Sequence, residues 1–168
     1  MKRKFVVETI KNLSGELGHY EILNVYNSQC PLPRGYKLKW TDAWCAATVT
    51  AVMIINGYDD IAECSCSRML EKARQKNIWI ENDAYIPAAG DIIMYDWQDS
   101  GAGNDIGEPD HVGIVIECDQ KTMIVREGNY YGDIRNRTIP IDARYIRGYI
   151  VPPYNKEEID SIIDSLYN

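Results

Sequence analysis

His111-Val112-Gly113-Ile114-Val115-Ile116-Glu117-Cys118-Asp119-Gln120-Lys121-Thr122-Met123-Ile124-Val125-Arg126-Glu127-Gly128-Asn129 reads as two β-rich runs around a polar turn. Taking Asp119-Gln120-Lys121 as a three-residue loop sets Cys118 opposite Thr122, Gly113 opposite Glu127 and His111 opposite Asn129. Side chains alternate along a strand, so His111, Glu127 and Asn129 then share one face. A two-residue loop would turn Glu127 to the wrong face. Further strand patterns cover residues 91 to 97, 134 to 141 and 146 to 151, with Pro87-Ala88-Ala89-Gly90 as a turn into the first.

Upstream of this hairpin the apolar period is helical. Residues 5 to 17 predict an amphipathic helix with Phe5, Val6, Thr9, Ile10 and Leu13 on one side, and a shorter helix covers residues 21 to 26. A loop rich in Pro, Gly and Ser spans residues 27 to 40. The next helix takes Thr41 or Asp42 as its N-cap and stops at Gly57, which suits the position after a helix end. It is apolar on nearly all sides, so it is expected to be the central buried helix. Another, capped by Ser65 or Ser67, runs to about residue 75 with Met69, Leu70 and Ala73 inward. Helices followed by a meander of strands predict an α+β fold, with N-terminal helices packed on an antiparallel sheet.

Cys45 opens the buried helix in Thr41-Asp42-Ala43-Trp44-Cys45-Ala46-Ala47. A thiol attacks as its thiolate, and free cysteine, with a pKa of about 8.5, is mostly protonated at neutral pH. With Asp42 as N-cap, Cys45 falls at the third helical position, where unpaired N–H groups and the helix dipole favour negative charge. A nearby His111 imidazolium would lower the thiol further and later protonate a leaving amine. Either Glu127 or Asn129 can bond one ring nitrogen and turn the other toward Cys45. Cysteine, histidine and an acid or amide on three separate segments are the parts of a thiol hydrolase. The bland alternatives are a small core cysteine, a structural histidine and strand-end turn residues.

With 168 residues the chain fits one domain with one core. Its net charge of −7 argues against nucleic acid as the main partner, and the same charge weakly repels the anionic polymers of a bacterial wall. Met1-Lys2-Arg3-Lys4 is basic but no apolar signal region follows it, so a soluble product made in the cytoplasm is expected. The five cysteines, an odd number, are expected to be free thiols; Cys64-Ser65-Cys66 is a metal-like pair without a second pair, and Cys118 reads as a small core residue. His19 is expected at the surface. Trp40, Trp44, Trp79 and Trp97 read individually as core, with Trp44 the best candidate for a substrate groove and Trp40 and Asp42 beside it. Asp96, Asp99, Asp105, Glu108 and Asp110 read as a solvated acidic loop rather than a calcium site. After Pro152-Pro153-Tyr154 an acidic tail, residues 155 to 168, carries Ile159, Ile162, Ile163 and Leu166 at helical spacing, so the domain is drawn at residues 1 to 154.

In order along the chain, Thr41-Asp42-Ala43-Trp44-Cys45-Ala46, Pro87-Ala88-Ala89-Gly90-Asp91-Ile92-Ile93, Asp110-His111-Val112-Gly113-Ile114-Val115, Glu127-Gly128-Asn129 and Ile146-Arg147-Gly148-Tyr149 resemble the CHAP family, the cysteine, histidine-dependent amidohydrolases/peptidases. The resemblance covers roughly residues 5 to 154. It implies a papain-like fold and cleavage of an amide in peptidoglycan, as an N-acetylmuramoyl-L-alanine amidase or an endopeptidase. Cys45 would be the nucleophile, His111 the general base and acid, Glu127 the residue orienting the imidazole and Asn129 an assistant at the site. Together with the missing signal it looks like a bacteriophage or prophage endolysin, released through a holin and acting on the wall as a monomer without membrane insertion. The chain departs from the family in lacking an aromatic shortly after Cys45 and an Asp-rich calcium motif before it, so no metal and no cofactor are expected. Three other readings stand beside this one: a cysteine amidase on a non-wall substrate, a non-catalytic wall-binding module on the same fold, and a metal-binding protein built on Cys64 and Cys66.

Overall fold

A computed structural model describes residues 1–99 and 107–155. Asp105 of the acidic loop and the tail from residue 156, with its expected helix, lie outside the described residues. Among the described residues four α-helices come first: α1 (Arg3–Asn12), α2 (Gly15–Asn27), α3 (Cys45–Ile55) and α4 (Cys66–Gln75). Six strands follow: β1 (Trp79–Ile80), β2 (Ile92–Tyr95), β3 (His111–Cys118), β4 (Thr122–Tyr130), β5 (Asp133–Pro140) and β6 (Ile146–Ile150). They form one antiparallel sheet in the order β1-β6-β2-β3-β4-β5. This is the α+β architecture that the change of period predicts. The meander holds from β2 to β5, but β6 returns to pair with β2 instead of β5.

The first helix differs from expectation. Helix α1 ends at Asn12, Leu13 and Ser14 are extended, and Gly15 restarts the chain at φ +54°. The break between the two expected helices, drawn after residue 17, therefore falls at Leu13 and Ser14, and the second helix is the longer one. Val6, Ile10 and Leu13 are buried as expected, whereas Phe5 is 47% exposed because the inward stripe begins one residue later.

Helix α3 is the central one, with every residue from Cys45 to Met53 buried. It packs on α1, α2, β3 and β4. Its end is a Schellman motif: Gly57 sits at φ +77°, its N–H reaches the Ile54 carbonyl at 2.9 Å, and the Tyr58 N–H reaches Met53 at 2.9 Å. Helix α4 is capped by Ser65, whose hydroxyl accepts from the Arg68 N–H, and it buries Met69, Leu70 and Ala73. No helix among the described residues is long and apolar enough to cross a membrane.

Both faces of the sheet are covered. Ile92, Met94, Val112 and Ile114 pack under the helices, while Ile93, Tyr95, Val115, Met123, Val125, Ile146 and Tyr149 form a second apolar cluster. Strand β2 is consequently buried at all four positions and shows no alternation.

The β3–β4 register reaches its expected value by another route. Next to the turn Cys118 pairs with Met123, one residue off the expected Thr122. The Asp119 carboxylate accepts both the Lys121 and Thr122 N–H groups at 2.7 Å and fixes this turn. A bulge between Val115 and Glu117 then absorbs the extra residue, so Val115 faces Val125 and Ile114 faces Arg126, as the three-residue loop required. Cys118 is half-buried at the strand end, packed at the edge of the second cluster.

Candidate active site

Cys45 is the first residue of α3, not the third, and Trp44 takes the N-cap position. Asp42 does not cap this helix: its carboxylate accepts the Lys39 N–H at 2.8 Å and the Tyr36 hydroxyl at 2.9 Å, which closes the preceding turn. The first intrahelical bond runs from the Thr48 N–H to the Trp44 carbonyl, 2.9 Å. The N–H groups of Cys45, Ala46 and Ala47 thus have no acceptor within the helix, and they surround the sulfur with partial positive charge.

Cys45 is only 7% exposed. Across 3.7 Å its sulfur meets the sulfur of Cys66, the first residue of α4. The Cys66 thiol, the His111 imidazole and the Ala46 N–H hold the Cys45 thiol well below its ordinary value, against burial, which pushes it up. Cys66 moves the other way, raised by donating to Cys45 and by its own burial.

His111 opens β3, and its Nε2 lies 3.0 Å from Glu127 Oε2. That contact makes Nε2 the N–H donor to the carboxylate, leaving Nδ1 for the thiol. Burial lowers the His111 pKa, but the Cys45 sulfur and Glu127 outweigh it and raise the ring to about 9. Both shifts favour a thiolate beside an imidazolium.

Glu127 has no exposed side-chain surface. Its two oxygens take a fork from Arg137 on β5, Nε to Oε1 at 2.8 Å and Nη2 to Oε2 at 3.0 Å. Burial alone would raise the carboxyl; His111 and Arg137 together hold it below its ordinary value. The guanidinium is itself fixed between rings, 4.1 Å from the Tyr130 centroid and 4.9 Å from that of Trp97. Gly113 makes room for this arrangement, since a Cβ there would meet Val125 and Glu127 side chains at 2.5 and 2.7 Å.

Asn129 stands differently from Glu127. Strand β4 bulges between Glu127 and Tyr130, and Asn129 takes φ +58°. Glu127 is the one that occupies the imidazole, and Asn129 lines two clefts. The larger, about 540 Å³, is bounded by His19, Trp40, Asp42, Trp44, Asn129 and Arg135, among others. The smaller, about 330 Å³, is bounded by Trp97, His111, Asn129, Tyr130, Tyr131 and Arg137. All three residues expected to bind substrate, Trp40, Asp42 and Trp44, therefore line one cleft. Cys45 itself lines neither.

His19 overturns its expected surface placement. It is buried between Trp40 and Trp44, with both ring centroids at 4.0 Å, and burial lowers its pKa. Among the described residues its Nε2 has no hydrogen-bond partner. Trp79, by contrast, lies on β1 at the far sheet edge and plays no part in this site. The acidic loop is less solvated than expected: Asp96 is buried and accepts the Gln98 N–H at 2.9 Å. Cys64 lines a separate cleft with Arg34 and Tyr36, whereas Cys66 meets Cys45. Among the described residues, no group of three or more His, Cys, Asp or Glu side chains is gathered as a metal site.

Residues 35–129 match the family model described as CHAP domain. The chain belongs to the CHAP family. That family is one of hydrolases and peptidases, and the matched span holds Cys45, His111, Glu127 and Asn129. No curated protein matches the chain. Arg137 and His19 lie outside the span matched by the CHAP model, and neither carries a sequence signal of its own. Arg137 sits in a strand that reads as polar and exposed, and His19 sits in a helix whose tryptophan neighbours come from elsewhere in the chain.

Proposed function

We propose that this CHAP domain hydrolyses an amide bond of bacterial peptidoglycan, with Cys45 as nucleophile, His111 as proton carrier and Glu127 as the residue orienting the imidazole. The Cys45 thiolate attacks the carbonyl carbon, and the free N–H of Cys45 donates to the oxygen as it gains charge. His111 gives its proton to the leaving amine, and a thioester remains on Cys45. Water, deprotonated by Nδ1, then attacks the thioester; the carboxylic acid leaves and the thiolate returns. Asn129, at the lip of both clefts, assists in placing the scissile bond. Trp40, Trp44 and Asp42 receive the substrate in the larger cleft.

The observation that supports this reading is the 3.0 Å contact between His111 Nε2 and Glu127, which leaves the other ring nitrogen to serve Cys45. Family membership supports a wall substrate, and action on the wall in the manner of an endolysin is part of the same proposal. Digestion of purified sacculi tests it. Fragments identified by mass spectrometry are expected with the wild type and not with Cys45→Ser or His111→Ala. Their new ends separate cleavage at muramoyl-L-alanine from cleavage within peptides. Fragments released equally by folded Cys45→Ser protein would overturn the mechanism. A folded wild type that opens no wall type would move the substrate to another amide.

A further inference from the structure

Cys66 has no part in the steps above, yet of the four other cysteines it alone bonds to the nucleophile. We propose that Cys45 and Cys66 form an oxidation site, in which a hydroperoxide converts the nucleophile to a sulfenic acid and Cys66 resolves it to a reversible disulfide. The inference rests on Cys45 being the ionised thiol of the proposed mechanism, but not on which amide is cleaved.

The chemistry is balanced with hydrogen peroxide as oxidant. The Cys45 thiolate attacks one peroxide oxygen, the O–O bond breaks, and hydroxide leaves, giving Cys45–SOH. The Cys66 sulfur then attacks the Cys45 sulfur, the S–O bond breaks, and the departing hydroxide takes up the Cys66 proton as water. Two electrons have passed from the two sulfurs to the peroxide. A thiol reductant restores both cysteines by exchange.

Three observations favour the second step. First, the sulfurs are already in contact at 3.7 Å at two helix starts, against about 2.05 Å in a disulfide. Second, the hydrogen bond to the Cys45 thiolate, together with burial and the Cys45 charge, suppresses ionisation of Cys66 in the reduced protein. Sulfenic acid is neutral, so oxidation lifts the part of that penalty that comes from Cys45, and the N-terminus of α4 then works against the part that burial leaves. Third, Cys45 and Cys66 are both buried, at 7% and 8% exposure, so a thiol outside the protein competes poorly for the sulfenic acid. Cys64, two residues away, lines a different cleft and is not placed to do this.

The test is to treat reduced full-length protein with hydrogen peroxide, then map peptides without reduction and follow wall hydrolysis in parallel. A Cys45–Cys66 cross-linked peptide is expected, with activity lost and then recovered in full on adding dithiothreitol. In Cys66→Ser and Cys66→Ala, each compared with its own starting rate, the loss is expected to be irreversible, with sulfinic and sulfonic acid at Cys45. Wild-type protein that accumulates sulfinic acid at Cys45, or that links Cys45 to Cys64, would overturn the proposal. The wild-type peptide map decides even where a variant does not fold. A cross-link formed in protein that shows no wall hydrolysis before oxidation would sink the substrate reading and leave this one standing.

Discussion

At the residue scale the reactive state is set by four groups in a row: Cys66, Cys45, His111 and Glu127, with Arg137 closing the far end. The competent form needs a thiolate and an imidazolium together. His111 is raised to about 9, so the imidazolium persists through neutral pH and is lost as pH climbs past that value. Cys45 is lowered, so its thiolate is lost only well below the ordinary thiol range. The expected kcat/KM profile is a bell with a broad neutral plateau and an alkaline limb near pH 9. A rate that instead climbs through pH 8 to 9 toward a high plateau would mean an unpaired thiol and sink this account. The same raised pKa predicts how stability varies. A histidine raised from an ordinary 6.5 to about 9 contributes stability in full below pH 6.5, and that contribution fades as pH rises through 9.

At the scale of elements the site is a contact between the start of α3 and the ends of β3 and β4. Gly128 is where β4 lies against the helix: a Cβ there would run into the Thr48 side chain and the Trp44 ring. Gly128→Ala is expected to push β4 away from α3 and to cost roughly 1–3 kcal/mol in denaturant unfolding. Activity should fall by more than the unfolded fraction explains, since Glu127 and Asn129 flank the displaced residue. Unchanged activity and stability would show that the contact is loose. This contact was partly legible in the sequence. The hairpin pattern gave the register of Ile114 against Arg126 correctly, next to Glu127, because side-chain alternation is local, even though a bulge rather than the loop delivers the register. Capping rules put Cys45 at the third helical position, and missed by two residues, because Asp42 is taken by Lys39 and Tyr36. His19, Cys66 and Arg137 were not legible as site residues: each owes its role to a partner distant in the chain.

Across the whole molecule, Arg3 ties the first helix to the sheet. Its guanidinium meets Asp91 at 2.6 Å and the Ala89 carbonyl at 3.1 Å, and it lies over the Tyr154 ring. Asp91 is fully buried and also accepts from Tyr85 and from the Ala88 N–H. Burial raises the Asp91 carboxyl despite these partners, so removing the guanidinium leaves a buried acid short of its strongest one. Arg3→Met is expected to lower stability by roughly 2–3 kcal/mol, read as a lower denaturant midpoint with an unchanged slope. A shift within error would mean that Tyr85 and the backbone suffice. At this scale the sequence predicted the layers but not the return of β6 beside β2. Nothing local in residues 146–150 distinguishes one sheet edge from another.

The stack of His19 between Trp40 and Trp44 also has an optical side. An imidazolium quenches indole emission and a neutral imidazole does so far less. With its pKa lowered, His19 is neutral in the neutral range, so the two indoles shine there and dim as the solution is acidified. Because the three rings wall the larger cleft, their brightness and its pH midpoint report occupancy without any added label.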